Sequence, residues 1–270
     1  MPVTTSLFHE PVPEQVIGAV ALAHPSWHPV LRDGLQAMMD ADSGYLPALV
    51  KDAYLPENGR LFAAFMQPVD AVRYVLVGEG PYPRPESATG VCFMDGAVKA
   101  LWSEKGLSKP VNRATSLRNF MKMLLVIEGL LVTEQTSGDA LQSVAKDANA
   151  PDTTLIQTRS DLQDNLFSNG FLLLNASLVF RSSVPPLKDA RAWQPLMSKV
   201  LQALADHASS RQKPLPTLVL WGKVAEVMSG MTQTDQFPKA ISEHPYNLTF
   251  IGNPLMQTLF KPMRLLQRRA

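Results

Sequence analysis

The chain has 270 residues, 46% of them hydrophobic and 18% charged, with a formal net charge of +1. That length suits one large α/β domain or two small ones, and the near-neutral charge excludes nucleic-acid binding through bulk basicity, leaving only a local basic patch for that purpose. The single cysteine, Cys92, excludes an internal disulfide and a thiolate zinc cluster, and every 18-residue window carries a charge or a proline, so no membrane span is expected.

Residues 1–25 contain several prolines and are expected to be irregular. Their start, MPVTTSLFHEPVPEQ, lacks a basic stretch followed by an apolar one, so no signal peptide is expected. With one cysteine, a reducing cytoplasm is the expected location. Apolar residues at helical spacing predict helices over 29–39 and 60–67. Residues 72–77 read as a buried strand that breaks off in Gly78-Glu79-Gly80-Pro81-Tyr82-Pro83. A strong helix is predicted over 115–132, with Thr115 or Ser116 as its N-cap. Residues 133–155 are small and polar and read as a surface insertion. A short helix follows over 160–168, closed by Asn169-Gly170, and then FLLLN at 171–175 is a buried strand. A helix over 193–208 leads to a third strand, TLVLW at 217–221, then a turn at Gly222 and a helix over 224–228. A short fourth strand at 240–242 ends in Glu243-His244-Pro245, and a last helix starts at Leu255.

Strands alternating with helices predict a single three-layer α/β/α domain over 26–270, with a central, mostly parallel four-stranded sheet. In such sheets ligands bind beyond the carboxyl ends of the strands. Gly78–Pro83, Asn175-Ala176, Trp221-Gly222 and His244-Pro245 should therefore meet at one edge.

Those segments carry, in order, GEGPYP, GVCF, ATSL, LLLN, VLWG and HPYNLT. The series resembles the uracil-DNA glycosylase family, specifically its classical first branch, whose pattern is GQDPYH, GxCF, PPSL, LLLN, LLWG and HPSPLS. The resemblance implies an enzyme that flips a base out of DNA into a pocket that reads its edge. It places Phe93 where the family stacks uracil, and Asn175 where a side-chain amide reads the pyrimidine edge through one donor and one acceptor. Tyr82 falls where the C5 position is crowded against thymine's methyl. His244 falls where a histidine donates to O2 of the leaving base. Leu248 matches the residue that wedges into the duplex, and Ser116 a hydroxyl that holds a phosphate at a helix start. Gly222 and Tyr246 fall at further DNA-contacting positions. Taken singly, Phe93 reads as a core aromatic and His244 as a satisfied structural histidine; the shared order of motifs assigns them roles.

The family's catalytic Asp falls on Gly80, which offers no carboxylate. Loss of such a group commonly costs about 10²–10⁴ in rate. Glu79 puts a carboxylate one residue away, pointing differently. Pro83 replaces a His, Tyr246 a small hydroxyl residue and Asn247 a Pro. Remote branches of the superfamily also lack the Asp and still cleave. The resemblance thus implies hydrolysis of the N-glycosidic bond of a flipped uracil or other deaminated base, weakened, altered or lost. The alternative is a non-catalytic binder of DNA or a nucleobase, or a protein partner's docking face built from the old DNA surface. A monomer without cofactor or metal is expected, since His9, His24, His28 and His207 lack ligand spacing. Cys92 reads as a small core residue. Arg113, Arg118 and Lys122 read as a solvated face, with a phosphate track as the other reading.

Overall fold

The computed structural model describes residues 11–269, so the first ten residues of the expected irregular segment lie outside the described residues. Four short apolar runs form the centre: β1 (Tyr74–Gly78), β2 (Phe171–Asn175), β3 (Thr217–Trp221) and β4 (Lys239–Ser242). All pair in parallel, in the order β2-β1-β3-β4. Their sequences are continuous rather than alternating because both faces are covered. Val75, Val77, Leu172, Leu174, Leu218 and Leu220 point into one apolar cluster. Leu76, Leu173, Val219 and Trp221 point into a second.

Five helices of ten or more residues provide the layers: α1 (His28–Ala41), α2 (Thr115–Ile127), α3 (Asp139–Ala148), α4 (Arg159–Ser168) and α5 (Pro186–Ser210). Helices α1 and α5 pack on each other and on the first face, while α2, α3 and α4 cover the second. The chain places β2 on one side of β1 and β3 on the other. This reversal opens a crevice at the carboxyl ends of the strands, where doubly wound sheets bind ligands.

Several local readings change. Residues 14–22 are helical, not irregular: a helix at Glu14–Ala19 runs into a 3₁₀ turn at Val20–Leu22, and Val16 and Val20 are buried. Residues Arg60–Phe65 form a 3₁₀ helix. The N-cap of α2 is Ala114, not Thr115 or Ser116, and it makes no side-chain cap bond. Helix α2 stops at Ile127, because the backbone of Gly129 turns to positive φ. Helix α5 begins at Pro186, since proline at N1 has its φ set for a helix and needs no N–H there. The 133–155 stretch contains α3, whose Leu141, Val144, Ala145 and Ala148 are buried. It is a packed part of the second cluster rather than only a surface excursion.

Candidate active site

Parallel pairing sets Gly78 opposite Asn175 at the ends of β1 and β2. Beyond them lies a cavity of about 220 Å³ lined by Gly80, Tyr82, Phe93, Ser116, Asn175 and His244, among others. Asn175 is 3% exposed, and among the described residues no group hydrogen-bonds its side-chain amide. A buried amide left unmet is costly, so it is available for a ligand's edge. Its place depends on Gly78. A Cβ on that residue would stand 2.8 Å from Asn175 Oδ1 and 2.5 Å from Cys92 Sγ, so only glycine lets the strand end approach this closely.

Phe93 forms a wall. Its φ of +68° is left-handed, a conformation that costs a bulky residue about 1–2 kcal/mol. Edge-to-face contacts with Phe120 and Trp221, each at 5.3 Å between ring centroids, offset this by about 0.5–1.5 kcal/mol apiece. Strain of this kind tends to be kept where geometry matters to function. The Tyr82 hydroxyl donates to the Phe93 carbonyl at 3.4 Å. Burial, reinforced by the charge of Asp95, pushes the Tyr82 phenol well above its ordinary range, so it stays an O–H donor. Burial likewise pushes the Cys92 thiol up to about 12.

His244 stands half-buried at the rim. Gly222, at φ +58°, makes room for it: a Cβ there would come within 2.9 Å of His244 Cβ. The backbone N–H of Tyr246 donates to His244 Nδ1 at 3.1 Å. A ring nitrogen that accepts carries no proton, so the neutral imidazole holds its hydrogen on Nε2. Burial lowers the His244 pKa, and the charge of Glu79 partly opposes this. At neutral pH the group is therefore an uncharged Nε2–H donor.

Tyr246 and Leu248 extend from the same loop with exposures of 66% and 67%. The start of α2, including Thr115 and Ser116, lines a neighbouring cleft of about 450 Å³ with Arg84, Arg113 and Tyr246. The unbonded N–H groups of a helix start favour an anion there. Two arginines face this cleft against one carboxylate, the buried Asp95, which lies 3.7 Å from Arg84.

Gly80 is exposed. A Cβ there would meet nothing nearer than 3.8 Å, from Ser177, so the position has room for a side chain it does not carry. Glu79 is exposed and lines the cavity beside His244. Among the described residues no group of His, Cys, Asp and Glu is arranged to hold a metal. No helix among them is long and apolar enough to cross a membrane.

The structure thus gathers Gly80, Glu79, Tyr82, Phe93, Ser116, Asn175 and His244 around one cavity, with Gly222 supporting it; Tyr246 lines the neighbouring cleft, and Leu248 is exposed on the same loop but lines neither. Only part of the expected solvated face is solvated. Arg113 is exposed, whereas Lys122 is 9% exposed and Arg118 is half-buried, donating to Asn119 Oδ1 and the Asn112 carbonyl. Sequence reading brought Trp221 to this edge without giving it a role, and passed over Val224, which also lines the cavity, and Asn119, fully buried in α2. A polar residue inside an otherwise apolar helical run was the available signal for Asn119.

No protein-family model matches the chain. Among curated proteins, the uracil-DNA glycosylase of Corynebacterium glutamicum is 29% identical over 228 residues, covering 84% of this chain and 81% of that protein. The uracil-DNA glycosylase of Corynebacterium efficiens is 25% identical over 228 residues, covering 84% and 78%. Among solved structures, the wild-type UNG crystal structure from Nitratifractor salsuginis aligns with a TM-score of 0.85 and 37% identity, covering 97% of this chain and 100% of that one.

Proposed function

The chain belongs to the uracil-DNA glycosylase superfamily, and from that premise we propose that its 220 Å³ cavity holds a flipped uracil of DNA while the N-glycosidic bond is hydrolysed. The order of motifs supports placing it in the classical first branch, with a diverged first loop. One observation carries the reading: the unmet amide of Asn175 and the Nε2–H of His244 belong to the same cavity, where a base edge and a developing oxyanion each need a partner.

Asn175 reads the pyrimidine edge, Phe93 stacks on the ring, and Tyr82 blocks a C5 methyl. As the C1′–N1 bond breaks, its electron pair moves onto the base, and His244 stabilises the charge gathering on O2 by donating from Nε2. Water then bonds to C1′ and gives up a proton to bulk water. No side chain at Gly80 takes that proton or offsets the positive sugar, so the rate is expected to fall about 10²–10⁴ below that of a carboxylate-bearing site. Glu79 is the nearest carboxylate in the cavity wall. Ser116 and the start of α2 receive a phosphate, Tyr246 and Gly222 border the strand, and Leu248 fills the gap left by the base.

A second reading is favoured by Gly80 itself and by the bulk of Tyr246: a protein that binds a base or DNA without cutting. Excision assays on single- and double-stranded DNA carrying uracil, hypoxanthine or xanthine separate the two. Slow uracil release that His244→Ala abolishes and Gly80→Asp accelerates supports hydrolysis. Wild type that binds no DNA, with nothing restored by Gly80→Asp, removes the glycosylase reading.

A further inference from the structure

We infer that Asn119, buried in α2 and remote in sequence from the reactive loops, is a positioning residue that selects the tautomer of His244. This deepens the proposed reaction and rests on it for its kinetic arm. Asn119 is 0% exposed. Its Nδ2 lies 2.8 Å from the carbonyl of Pro245, 3.2 Å from that of Tyr246 and 3.4 Å from that of Asn247. Arg118 Nε donates to its Oδ1 at 3.3 Å, which turns the amide so that the NH₂ end faces the loop. One side chain therefore satisfies consecutive carbonyls of the segment that follows His244.

Holding those carbonyls fixes the peptide planes between them. The N–H of Tyr246 shares its peptide plane with the Pro245 carbonyl and points the opposite way, so it is thereby aimed at His244 Nδ1. With that N–H in place, a proton on Nδ1 would meet another donor, so the hydrogen resides on Nε2. If the loop relaxes, Nδ1 is free to carry the proton, and Nε2 becomes an acceptor facing O2 of the base. An acceptor there repels the charge the reaction builds. Asn119 does not line the cavity and spends its amide on the Pro245, Tyr246 and Asn247 carbonyls, so it touches neither base nor sugar and acts through His244.

The test is ring-nitrogen NMR of His244 in the full chain at neutral pH, beside uracil excision. Wild type is expected to show the Nε2–H signature. Asn119→Asp, equal in size but without the donor, and Asn119→Ser are expected to show a mixed or Nδ1–H signature, with kcat down roughly 10- to 100-fold and KM little changed. Thr234→Val serves as a control for buried polar loss, since Thr234 is fully buried and bonds to the Met228 and Met231 carbonyls away from the cavity. It should leave signature and kcat intact.

A wild-type Nδ1–H ring, or an unchanged signature in the folded variants, overturns the inference. Should neither variant fold, the coupling across the hydrogen bond from Asn119 Nδ2 to the Pro245 carbonyl decides in wild type, and its absence overturns the inference. Wild type without excision would remove the proposed reaction but leave the spectroscopic result standing on its own.

Discussion

The loop after β1 and the loop after β4 face each other across one cavity and are held in opposite ways. The first, Glu79–Pro83, has backbone where the family places its carboxylate, and its two leading residues are exposed. The second, Glu243–Leu248, keeps its histidine, accommodated by Gly222 and tied to α2 through Asn119. A Cβ at Gly80 would make only ordinary contacts, with Ser177 at 3.8 Å and the Val179 carbonyl at 4.0 Å, so the absence of a side chain there leaves no hole in the packing. Removal at His244 would leave a bonded loop around a hole. On the proposed reading, the base-binding half of the cavity is built into the packing of the fold, while the water-activating half is not.

The comparison breaks first at Gly80. Gly80→Asp should fit without clash and raise uracil excision by about 10²–10⁴, measured as single-turnover release from a single-stranded oligonucleotide. No gain would mean that the first loop differs in more than the missing carboxylate. The second loop should yield a fall of about 10²–10³ in kcat for His244→Ala, as loss of an oxyanion donor does.

Gly78→Ala comes next. Its Cβ would lie 2.5 Å from Cys92 Sγ and 2.8 Å from Asn175 Oδ1. Overpacking of this kind costs about 1–3 kcal/mol of stability, read by denaturant unfolding, and should also weaken binding of free uracil.

The pH profile gives the smallest effect and the sharpest contrast between the loops. The proposed reaction needs neutral His244, whose pKa burial lowers from its ordinary value near 6.5. Activity should therefore hold as pH falls through 6.5 and be lost only through the lower folded-state value. The stability contribution has the same sign: the unfolded chain takes up the proton first, so stability falls as pH drops. Because Glu79 raises the His244 pKa, Glu79→Gln should move the acid limb to lower pH and leave the plateau alone. A collapsed plateau would instead show that Glu79 has taken over the task of the missing carboxylate.

Much of this architecture was readable in advance. Strands buried on both faces, such as FLLLN and TLVLW, leave continuous apolar runs that few other elements produce. Asn175 ends β2 and His244 follows β4, which placed both at this edge, while Phe93 lies in a loop and Ser116 in α2, and only the order of motifs pointed to them. The Pro186 start of α5 was hidden, since Pro185-Pro186 reads as a break until proline's fitness for a first helical position is considered. Helix α3 was hidden because its buried face is mostly small residues. The bonds from Asn119 to the loop after His244 span 126 residues and more, which no local pattern announces. The space around Gly80 is likewise a property of Ser177 and Val179, not of the loop itself.

The packing of Cys92 beneath the cavity has a practical consequence. It is the chain's only cysteine and is 4% exposed, with its thiol pushed up to about 12 by burial. Thiolate, not thiol, reacts with alkylating reagents, so the native protein should resist labelling at neutral pH. Whatever labelling occurs then reports the fraction of time the cavity floor opens. A bound base that holds Asn175 and Phe93 in place should slow it, so the untouched thiol becomes a built-in clock for occupancy that works even if no bond is ever cut.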